Sequence, residues 1–382
     1  MAVFKYPEKD IVTDSFLKMI YCLLLVLVNS TFVYAKHPTS KEASCEQEAL
    51  QERDFREIMQ QRYKNLVSVC KNQEKPSSEM LSKCKHTIIW RKQEKIAMCP
   101  VYKSGTTSWI HHLIDLSFAK KETKKEAKMI LKNGGDRKTT IDTLSKYESP
   151  SEWAKYTRSV GVKGVPHNMT GFIVVRHPFE RLVSTYRDKV ESYSRSFFES
   201  LARRVVEKYR GRAIKHFGED RFNEIRNFRD RIPKLYNSQN PKFEKFGDNP
   251  MLPTFWEFVQ YIIYDYETID EEDVYSHIRP IHEHCCLCDE NYQKIFQYIL
   301  KSEEMSTEEL NFIKSMPGWE AKIGLKQPKL NVQRPSHISS EDIAKMYFTQ
   351  LSRDDVIRLY RLYELDFLLF NYTLKFENMS SS

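Results

Sequence analysis

The chain has 382 residues, of which 41% are hydrophobic and 13% aromatic, which is enough to build a substantial buried core. It contains only 11 glycines and no internal repeats, which excludes fibrous and solenoid architectures. The formal net charge of +8 is modest, and no nucleic-acid recognition motif accompanies it, so no nucleic-acid partner is predicted.

The chain begins with an apolar segment that predicts targeting to a membrane system. The run MIYCLLLVLV covers Met19 to Val28 and continues past a polar interruption to Ala35. This length suits a signal-anchor, although Val33-Tyr34-Ala35 also offers small or β-branched residues at which a signal peptidase could cut. Residues 1–35 are therefore predicted to form a cytoplasmic tail with a signal-anchor, or alternatively a cleaved signal peptide.

The next residues predict a stem and then one large domain. Residues 36–85 are polar, rich in lysine and glutamate, and helical in pattern from Glu48 to Val69. An α/β domain follows over residues 86–376, and residues 377–382 form a C-terminal tail. Strand-like runs occur at Ile88–Trp90, Ile96–Val101 and Ile173–Val175, and most of the remaining domain has the pattern of helix or loop.

The segment VYKSGTTSW, from Val101 to Trp109, has the pattern of an anion-binding turn. It follows a predicted strand and precedes a predicted helix over Ser108–Leu116, so loop amides and the positive end of the helix dipole would point into the turn. Because no Gly-Lys-Ser/Thr follows at the spacing of a P-loop, a nucleoside triphosphatase is disfavoured. The candidate binding residues of this turn are Lys103, Ser104, Gly105, Thr106, Thr107 and Ser108.

The segment FIVVRHPFERLVSTYRDK, from Phe172 to Lys189, offers a second anion site. Arg176 ends the predicted strand, where a guanidinium can bind a phosphate through two parallel hydrogen bonds. Ser184 lies eight residues later, about two helical turns along the next helix. A less specific alternative is that Arg176, Glu180 and Arg181 form only an ion-paired helix start. His177 is predicted to be a solvated turn residue.

The C-terminal residues predict helices that belong to the core. Ser339–Phe370 begins with an N-cap serine and an acidic first turn, and its apolar stripe is more typical of core packing than of ligand binding. Seven cysteines lie beyond the apolar N-terminal segment, an odd number that leaves at least one without a partner in the chain. A metal site at Cys285, Cys286 and Cys288 is disfavoured against disulfide anchoring of that loop, because no second ligand cluster has finger-like spacing.

Taken together, these motifs resemble a known enzyme family. The Lys-Ser-Gly-Thr-Thr-Ser-Trp and Arg-x-Pro-Phe-x-Arg-Leu-x-Ser-x-Tyr runs are similar to the two donor signatures of the Golgi membrane-bound carbohydrate sulfotransferases. Three further segments, in the same order, resemble that family over residues 90–375, and five ordered matches are far more specific than one. They are TFWEFVQYI at Thr254–Ile262, HIRPIHEHCCLC at His277–Cys288 and YRLYELDFLLFNY at Tyr360–Tyr372.

The resemblance implies a P-loop-like sulfotransferase fold, with a central parallel sheet flanked by helices. It also implies transfer of a sulfuryl group from 3′-phosphoadenosine 5′-phosphosulfate to a glycan hydroxyl, with no metal required. Lys103 would stabilise the departing phosphate oxygen, since charge accumulates there during the transfer. The turn at Thr106, Thr107 and Ser108 would hold the 5′-phosphosulfate, and Arg176 with Ser184 the 3′-phosphate.

The acceptor hydroxyl must lose a proton, and the resemblance makes His277 the best candidate general base, because its ordinary pKa lies near neutrality. A structural histidine is the competing interpretation, and His282, Glu283 and His111 are lesser candidates. Two other functions remain open: an inactive luminal protein that binds anionic glycans on the same fold, and a small-molecule kinase. The kinase is disfavoured because the turn lacks a Walker-type lysine and magnesium-binding carboxylates.

The resemblance and the N-terminal segment together predict a single-pass type II Golgi membrane protein with a luminal catalytic domain, or a secreted protein after cleavage near Ala35. Glycosylation sequons at Asn168, Asn371 and Asn378 agree with luminal exposure. Basic stretches at Lys120–Lys132 and Arg203–Lys234 could steer an anionic glycosaminoglycan, although interleaved glutamates equally suit a solvated helix face.

Overall fold

The computed structural model describes residues 40–91, 94–117, 121–132, 169–191, 196–227, 252–269, 276–323 and 338–374. The predicted targeting segment, residues 1–35, lies outside these ranges, as do the C-terminal tail 377–382 and the sequons at Asn168 and Asn378. Asn371 lies within them and is exposed. None of the helices in the described ranges combines the length and apolar character needed to cross a membrane.

A four-stranded sheet forms the centre of the molecule. Its strands are β1 (Ile89–Arg91), β2 (Ile96–Cys99), β3 (Thr170–Val175) and β4 (Phe296–Lys301), arranged in that order. Strands β2, β3 and β4 are parallel, which agrees with the predicted parallel sheet, whereas β1 pairs with β2 in the antiparallel direction. Strand β4 departs from the helix or loop that the sequence pattern predicts for this region.

A glycine allows β3 to approach β4 closely. The register between these strands shifts between Gly171 and Phe172. A Cβ atom on Gly171 would lie 1.9 Å from the backbone oxygen of Ile295, a distance that no side chain can adopt. The pairing of β3 with β4 therefore requires glycine at this position.

Helices cover both faces of the sheet. In chain order they are α1 (Ser40–Cys70), α2 (Ser78–Thr87), α3 (Thr106–Leu116), α4 (Lys121–Lys132), α5 (Pro178–Thr185), α6 (Ser196–Phe217), α7 (Glu219–Arg226), α8 (Phe255–Asp265), α9 (Ile281–Cys285), α10 (Glu290–Gln293), α11 (Met305–Ser315), α12 (Trp319–Ile323), α13 (Ser340–Phe348) and α14 (Arg353–Leu369). A π-helical turn, Tyr186–Glu191, continues α5. The predicted strand-turn-helix units at β2–α3 and β3–α5 and the predicted C-terminal helices are all present.

Both faces of the sheet are buried, and successive side chains of a strand point to opposite faces. Phe172 of β3 packs in one cluster with Trp109 of α3 and Phe312 of α11. Its neighbour Ile173 packs in a second cluster on the other face, together with Ile299 of β4. A third cluster joins helices α5, α6, α8, α13 and α14 beside the sheet. This arrangement agrees with the predicted α/β fold.

Three disulfides connect the N-terminal elements to one short segment. Cys70 is bonded to Cys288, Cys84 to Cys286 and Cys99 to Cys285. The predicted disulfide anchoring of this loop is confirmed. The alternative metal site at these cysteines is excluded, because all three sulfur atoms are bonded to other cysteines.

The second half of the segment predicted as a stem packs against the domain. Arg62 of α1 donates a hydrogen bond of 2.8 Å to the carbonyl of Ile299 and forms a 2.6 Å ion pair with Glu308. Asn65 donates to the carbonyl groups of Leu368 and Leu369 at 2.9 and 2.8 Å, at the end of α14. Helix α1 is thus bonded to both the sheet and the C-terminal helix.

Candidate active site

The turn after β2 leads directly into the start of α3. Lys103 and Gly105 both adopt positive φ angles, 68° and 85°, so the backbone turns sharply before α3. Gly105 is the N-cap of α3, and its carbonyl accepts hydrogen bonds from the amides of Ser108 and Trp109 at 3.1 and 3.4 Å. The positive end of α3 therefore lies at this turn.

The hydroxyl groups of the turn differ in their burial and in their hydrogen bonds. Thr106 is buried and its hydroxyl donates to the carbonyl of Val101, which fixes the turn internally. Thr107 and Ser108 are half-buried. Ser104 is buried, and its hydroxyl has no hydrogen-bond partner among the described residues. Since a buried hydroxyl without a partner is unfavourable, Ser104 suits a ligand that accepts a hydrogen bond.

The second predicted segment meets this turn. Cys99 of β2 lies opposite Ile173 of the parallel strand β3, so both strands end at the same edge of the sheet. Arg176, just beyond β3, donates a 3.0 Å hydrogen bond from Nη1 to the carbonyl of Lys103. Its Nε lies 3.7 Å from the Glu180 carboxylate, so the ion-paired helix start is present as well. Ser184 is half-buried on α5.

His177 is not the solvated turn residue that the sequence suggests; that prediction is wrong. The side chain is buried, and its Nδ1 accepts a 3.3 Å hydrogen bond from the amide of Phe179, which caps α5. Its own amide donates to Glu303 at 2.6 Å, just beyond β4. The ring is buried because Phe367 of α14 and Tyr372 pack on it, with ring centroids 5.2 and 5.3 Å from that of His177.

An ion pair joins the two segments at the side-chain level. Lys103 Nζ lies 3.0 Å from Asp188 Oδ2, and Lys189 Nζ lies 3.3 Å from the same oxygen. Burial lowers the pKa of Lys103 from its usual value, and the Asp188 carboxylate opposes that shift. Asp188 was not among the predicted site residues. Its position one helical turn after Ser184 is the sequence signal that could have indicated it.

His277 lies beside the turn. Its ring is buried, and the ring centroid is 4.0 Å from that of Tyr102, which directly precedes Lys103. The His277 carbonyl accepts hydrogen bonds from Thr185 Oγ1 at 3.2 Å and from Arg181 Nη2 at 3.4 Å. Helix α5, which follows Arg176, therefore also fixes the backbone of the His277 segment.

The C-terminal helix holds the same segment from the other side. The buried carboxylate of Asp366 accepts hydrogen bonds from the amides of Ile281 and His282 at 2.6 and 2.9 Å, and a third from His282 Nδ1 at 2.8 Å. The hydroxyl of Tyr363 donates to the carbonyl of Ile278 at 2.6 Å. Helix α14 is core, as predicted, and in addition it orients the His277 segment.

The lesser base candidates, His282, Glu283 and His111, lie in other environments. Burial disfavours protonation of His282, but the hydrogen bond and charge of Asp366 outweigh it and raise the pKa of the imidazole. Glu283 accepts a 2.7 Å hydrogen bond from the Tyr266 hydroxyl. His111 lies half-buried on α3, where burial lowers its pKa. Of these four candidates, His277 is the one whose ring packs on Tyr102.

Comparison with known proteins bears on what this site does. A model of the sulfotransferase family matches residues 85–373. The chain is 25% identical over 294 residues to carbohydrate sulfotransferase 11 of Mus musculus, an alignment that covers 76% of this chain and 68% of that protein. It is 24% identical over 285 residues to carbohydrate sulfotransferase 9 of Homo sapiens, with coverage of 74% and 52%. No solved structure matches the chain.

Proposed function

Because this chain belongs to the sulfotransferase family, we propose that it transfers a sulfuryl group from 3′-phosphoadenosine 5′-phosphosulfate to a hydroxyl group of a glycan. The observation that carries this proposal is the meeting of two cationic segments at one sheet edge, where Arg176 binds the carbonyl of Lys103 at 3.0 Å. A ligand with an anionic group at each end would contact both segments at once.

The turn after β2 would hold the 5′-phosphosulfate. The candidate donors are the Lys103 ammonium, the Ser104, Thr107 and Ser108 hydroxyls, and the amides at the start of α3. The hydroxyl of Thr106 is bonded to Val101, so Thr106 would contribute its backbone amide. Gly105 leaves the backbone open, since nothing lies within 4 Å of the position of its missing Cβ. Together these groups would surround an anion with donors.

The residues after β3 would hold the 3′-phosphate. Arg176 presents a planar guanidinium that matches phosphate geometry, and Ser184 adds a hydroxyl donor two turns along α5. Glu180 and the carbonyl of Lys103 orient the Arg176 side chain in advance of binding. Such preorganisation lowers the entropy lost when a ligand binds.

In the reaction that we propose, the acceptor oxygen forms a bond to sulfur as the bond between sulfur and the phosphate oxygen breaks. The acceptor proton passes to the imidazole of His277, and the products are a sulfate ester and adenosine 3′,5′-bisphosphate. Lys103 would stabilise the negative charge that develops on the departing oxygen. The packing of His277 on Tyr102 supports its role as base, because it places the imidazole next to the turn that carries Lys103.

The acceptor class and the compartment are further parts of this proposal. The relatives are named carbohydrate sulfotransferases, which supports a glycan acceptor, and an anionic glycosaminoglycan would suit the basic helices α4 and α6. Three disulfides support an oxidising compartment. We therefore propose a single-pass type II protein of the Golgi membrane with its catalytic domain in the lumen, or a secreted protein after cleavage near Ala35.

The test is a transfer assay with purified full-length protein, radiolabelled 3′-phosphoadenosine 5′-phosphosulfate and a panel of glycans with and without existing sulfate or carboxylate groups. We expect label to appear in at least one glycan and the bisphosphate product to inhibit the reaction. Failure to label any glycan, together with failure to bind adenosine 3′,5′-bisphosphate, would overturn the proposal.

A further inference from the structure

A carboxylate lies inside the proposed donor site, where an anionic ligand is expected. Asp188 Oδ2 is 3.0 Å from Lys103 Nζ and 3.3 Å from Lys189 Nζ, and the Asp188 side chain is 20% exposed. A negative charge at this position repels an anionic ligand and competes with it for Lys103. Its presence therefore calls for a physical explanation.

The position of Asp188 is fixed by the fold. It lies in the π-helical turn Tyr186–Glu191, whose two ends are bonded to other elements. The hydroxyl of Tyr186 donates to the carbonyl of Pro253 at 2.8 Å, and the Glu191 carboxylate accepts a bond of 2.9 Å from the hydroxyl of Tyr347. Turns of this kind within α-helices are frequent at functional sites. Asp188 is thus held at Lys103 by a rigid turn.

Asp188 also balances the local charge. Among the described residues, the charged groups that face Lys103 are Asp188 and Lys189 from the π-helical turn and Arg176 from the end of β3. Burial lowers the pKa of Lys103, and the positive charges of Lys189 and Arg176 lower it further, whereas the Asp188 carboxylate raises it. Without Asp188, the described part of the chain would offer a protonated Lys103 two cations and no ion-paired carboxylate until a ligand arrived.

We propose that Asp188 is a positioning residue for Lys103, which it holds charged and oriented in the ligand-free enzyme and releases when the donor's phosphosulfate takes its place. Lys189 makes this exchange feasible, because it continues to compensate the Asp188 carboxylate after Lys103 turns to the ligand. The inference rests on the proposed donor site and adds a competing internal anion to it. It follows that Asp188 weakens donor binding while preserving the charge of Lys103.

The first test measures binding of adenosine 3′,5′-bisphosphate to the full chain by calorimetry between pH 6 and about 10, a range that spans titration of a lysine with a lowered pKa. Asp188→Asn removes the competing charge, so we expect binding at neutral pH to tighten roughly three- to tenfold, the range for breaking a partly buried ion pair. The same change removes a group that favours the Lys103 ammonium. The loss of binding at high pH should therefore begin at a lower pH than in the wild type.

Two control variants separate this role from a structural one. Asp188→Glu keeps the carboxylate and should retain the wild-type pH profile. Asp115→Asn removes a carboxylate that pairs with Lys128 at 2.6 Å on α3 and α4, outside the proposed site, and should leave bisphosphate binding unchanged. A purely structural role of Asp188 would instead weaken binding in Asp188→Asn without moving the pH profile.

A double-mutant cycle tests the part assigned to Lys189. Lys189→Met should weaken bisphosphate binding in the wild-type background, because Asp188 then loses one cationic partner and competes more strongly for Lys103. In the Asp188→Asn background the same substitution should have little effect. Equal losses in both backgrounds would show that Lys189 contacts the ligand directly and would overturn the exchange.

The outcomes distinguish the two levels of the proposal. Absence of bisphosphate binding to the wild type would overturn the proposed function and this inference with it. If the wild type binds the bisphosphate, and Asp188→Asn binds it equally or more weakly with the same pH profile, this inference alone would be overturned. Tighter binding with an earlier alkaline loss, seen in Asp188→Asn and absent from Asp188→Glu, is the result that the inference predicts.

Discussion

Two regions of the molecule are held in place by different means. One is the sheet edge with the turns at Lys103 and Arg176, which we propose to bind the donor and call the donor edge. The other is the segment His277–Cys288. The donor edge is formed by two strand-turn-helix units, and each turn is shaped largely by its own residues, such as Gly105 and Thr106. The His277–Cys288 segment has only short helical turns, and distant residues fix it. Local sequence therefore determines the first region, whereas long-range bonds determine the second.

Residues of the N-terminal elements, of α5 and of α14 make the long-range bonds to the second region. Three disulfides bind its end to the N-terminal elements. Arg181 of α5 is fully buried and donates to the carbonyl groups of His277 and Arg279. Asp366 of α14 accepts three hydrogen bonds from Ile281 and His282. Because Arg181 lies five residues after Arg176, helix α5 is the element that couples both regions.

The largest effect is expected at the donor edge. Lys103→Met should lower the rate of sulfuryl transfer about 10²- to 10³-fold, since it removes the charge proposed to stabilise the departing oxygen. The assay is label transfer by the full-length protein, with thermal unfolding to confirm that the variant folds. The matched control is Lys345→Met, which removes a half-exposed lysine from α13 and should leave transfer unchanged. Transfer near the wild-type rate in Lys103→Met would remove Lys103 from the mechanism.

The second prediction separates the two regions. The variant Cys84→Ser/Cys286→Ser removes one disulfide from the His277–Cys288 segment and should cost about 2 kcal/mol of stability. Transfer should fall, because His277 is less well positioned, while bisphosphate binding at the donor edge should persist. Chemical denaturation and calorimetry measure these two quantities. Equal loss of transfer and of bisphosphate binding would show that the regions are not independent.

A smaller effect is expected at the far end of the donor site. Ser184→Ala should weaken bisphosphate binding roughly tenfold, as expected for loss of one hydrogen bond to a charged group. Binding of adenosine 5′-monophosphate, which lacks the 3′-phosphate, should not change. Ser315→Ala, whose hydroxyl donates to a carbonyl within α11, serves as control. An equal loss for both nucleotides would contradict the assignment of Ser184 to the 3′-phosphate.

The smallest expected effect is a pH dependence of stability in the second region. The pKa of His282 is raised in the folded protein through Asp366, although burial opposes it. A raised pKa stabilises the fold fully below the pKa of the unfolded chain, and this contribution is lost as the pH rises through the folded value. Denaturation between pH 5 and about 9, a range around the ordinary histidine pKa, should show this decline in the wild type and a flatter profile in His282→Gln. Identical profiles would exclude the His282–Asp366 pair as its source.

The contrast between the regions also explains what the sequence could predict. The turn at Lys103 and the helix start at Arg176 follow from local patterns of strand, glycine and helix signals, and the structure contains both elements. Strand β4 was missed because its pattern is irregular: Gln297 is exposed between the buried residues Phe296 and Ile299, so no clean alternation marks the strand. The parallel pairing of β4 with β3 depends on residues more than a hundred positions apart.

The remaining misses arise from contacts that no local pattern contains. Asp188 meets Lys103 across the sheet edge, and Phe367 of α14 packs on the buried ring of His177. The disulfide pairing was equally inaccessible, because the sequence does not show which six of the seven cysteines pair, and any six allow 15 connectivities. The sequence therefore predicted the two strand-turn-helix units, and it could not specify which distant partners hold the His277 segment.

The central claim is that the Lys103 and Arg176 segments form the two ends of one donor site. The most direct test is calorimetric titration of the wild type, Lys103→Ala and Arg176→Ala with adenosine 5′-monophosphate, adenosine 3′-monophosphate and adenosine 3′,5′-bisphosphate. We expect Lys103→Ala to weaken binding of the 5′-monophosphate, Arg176→Ala to weaken that of the 3′-monophosphate, and both to weaken that of the bisphosphate. If either substitution leaves the affinity for the bisphosphate unchanged, that result would contradict a single donor site with two ends.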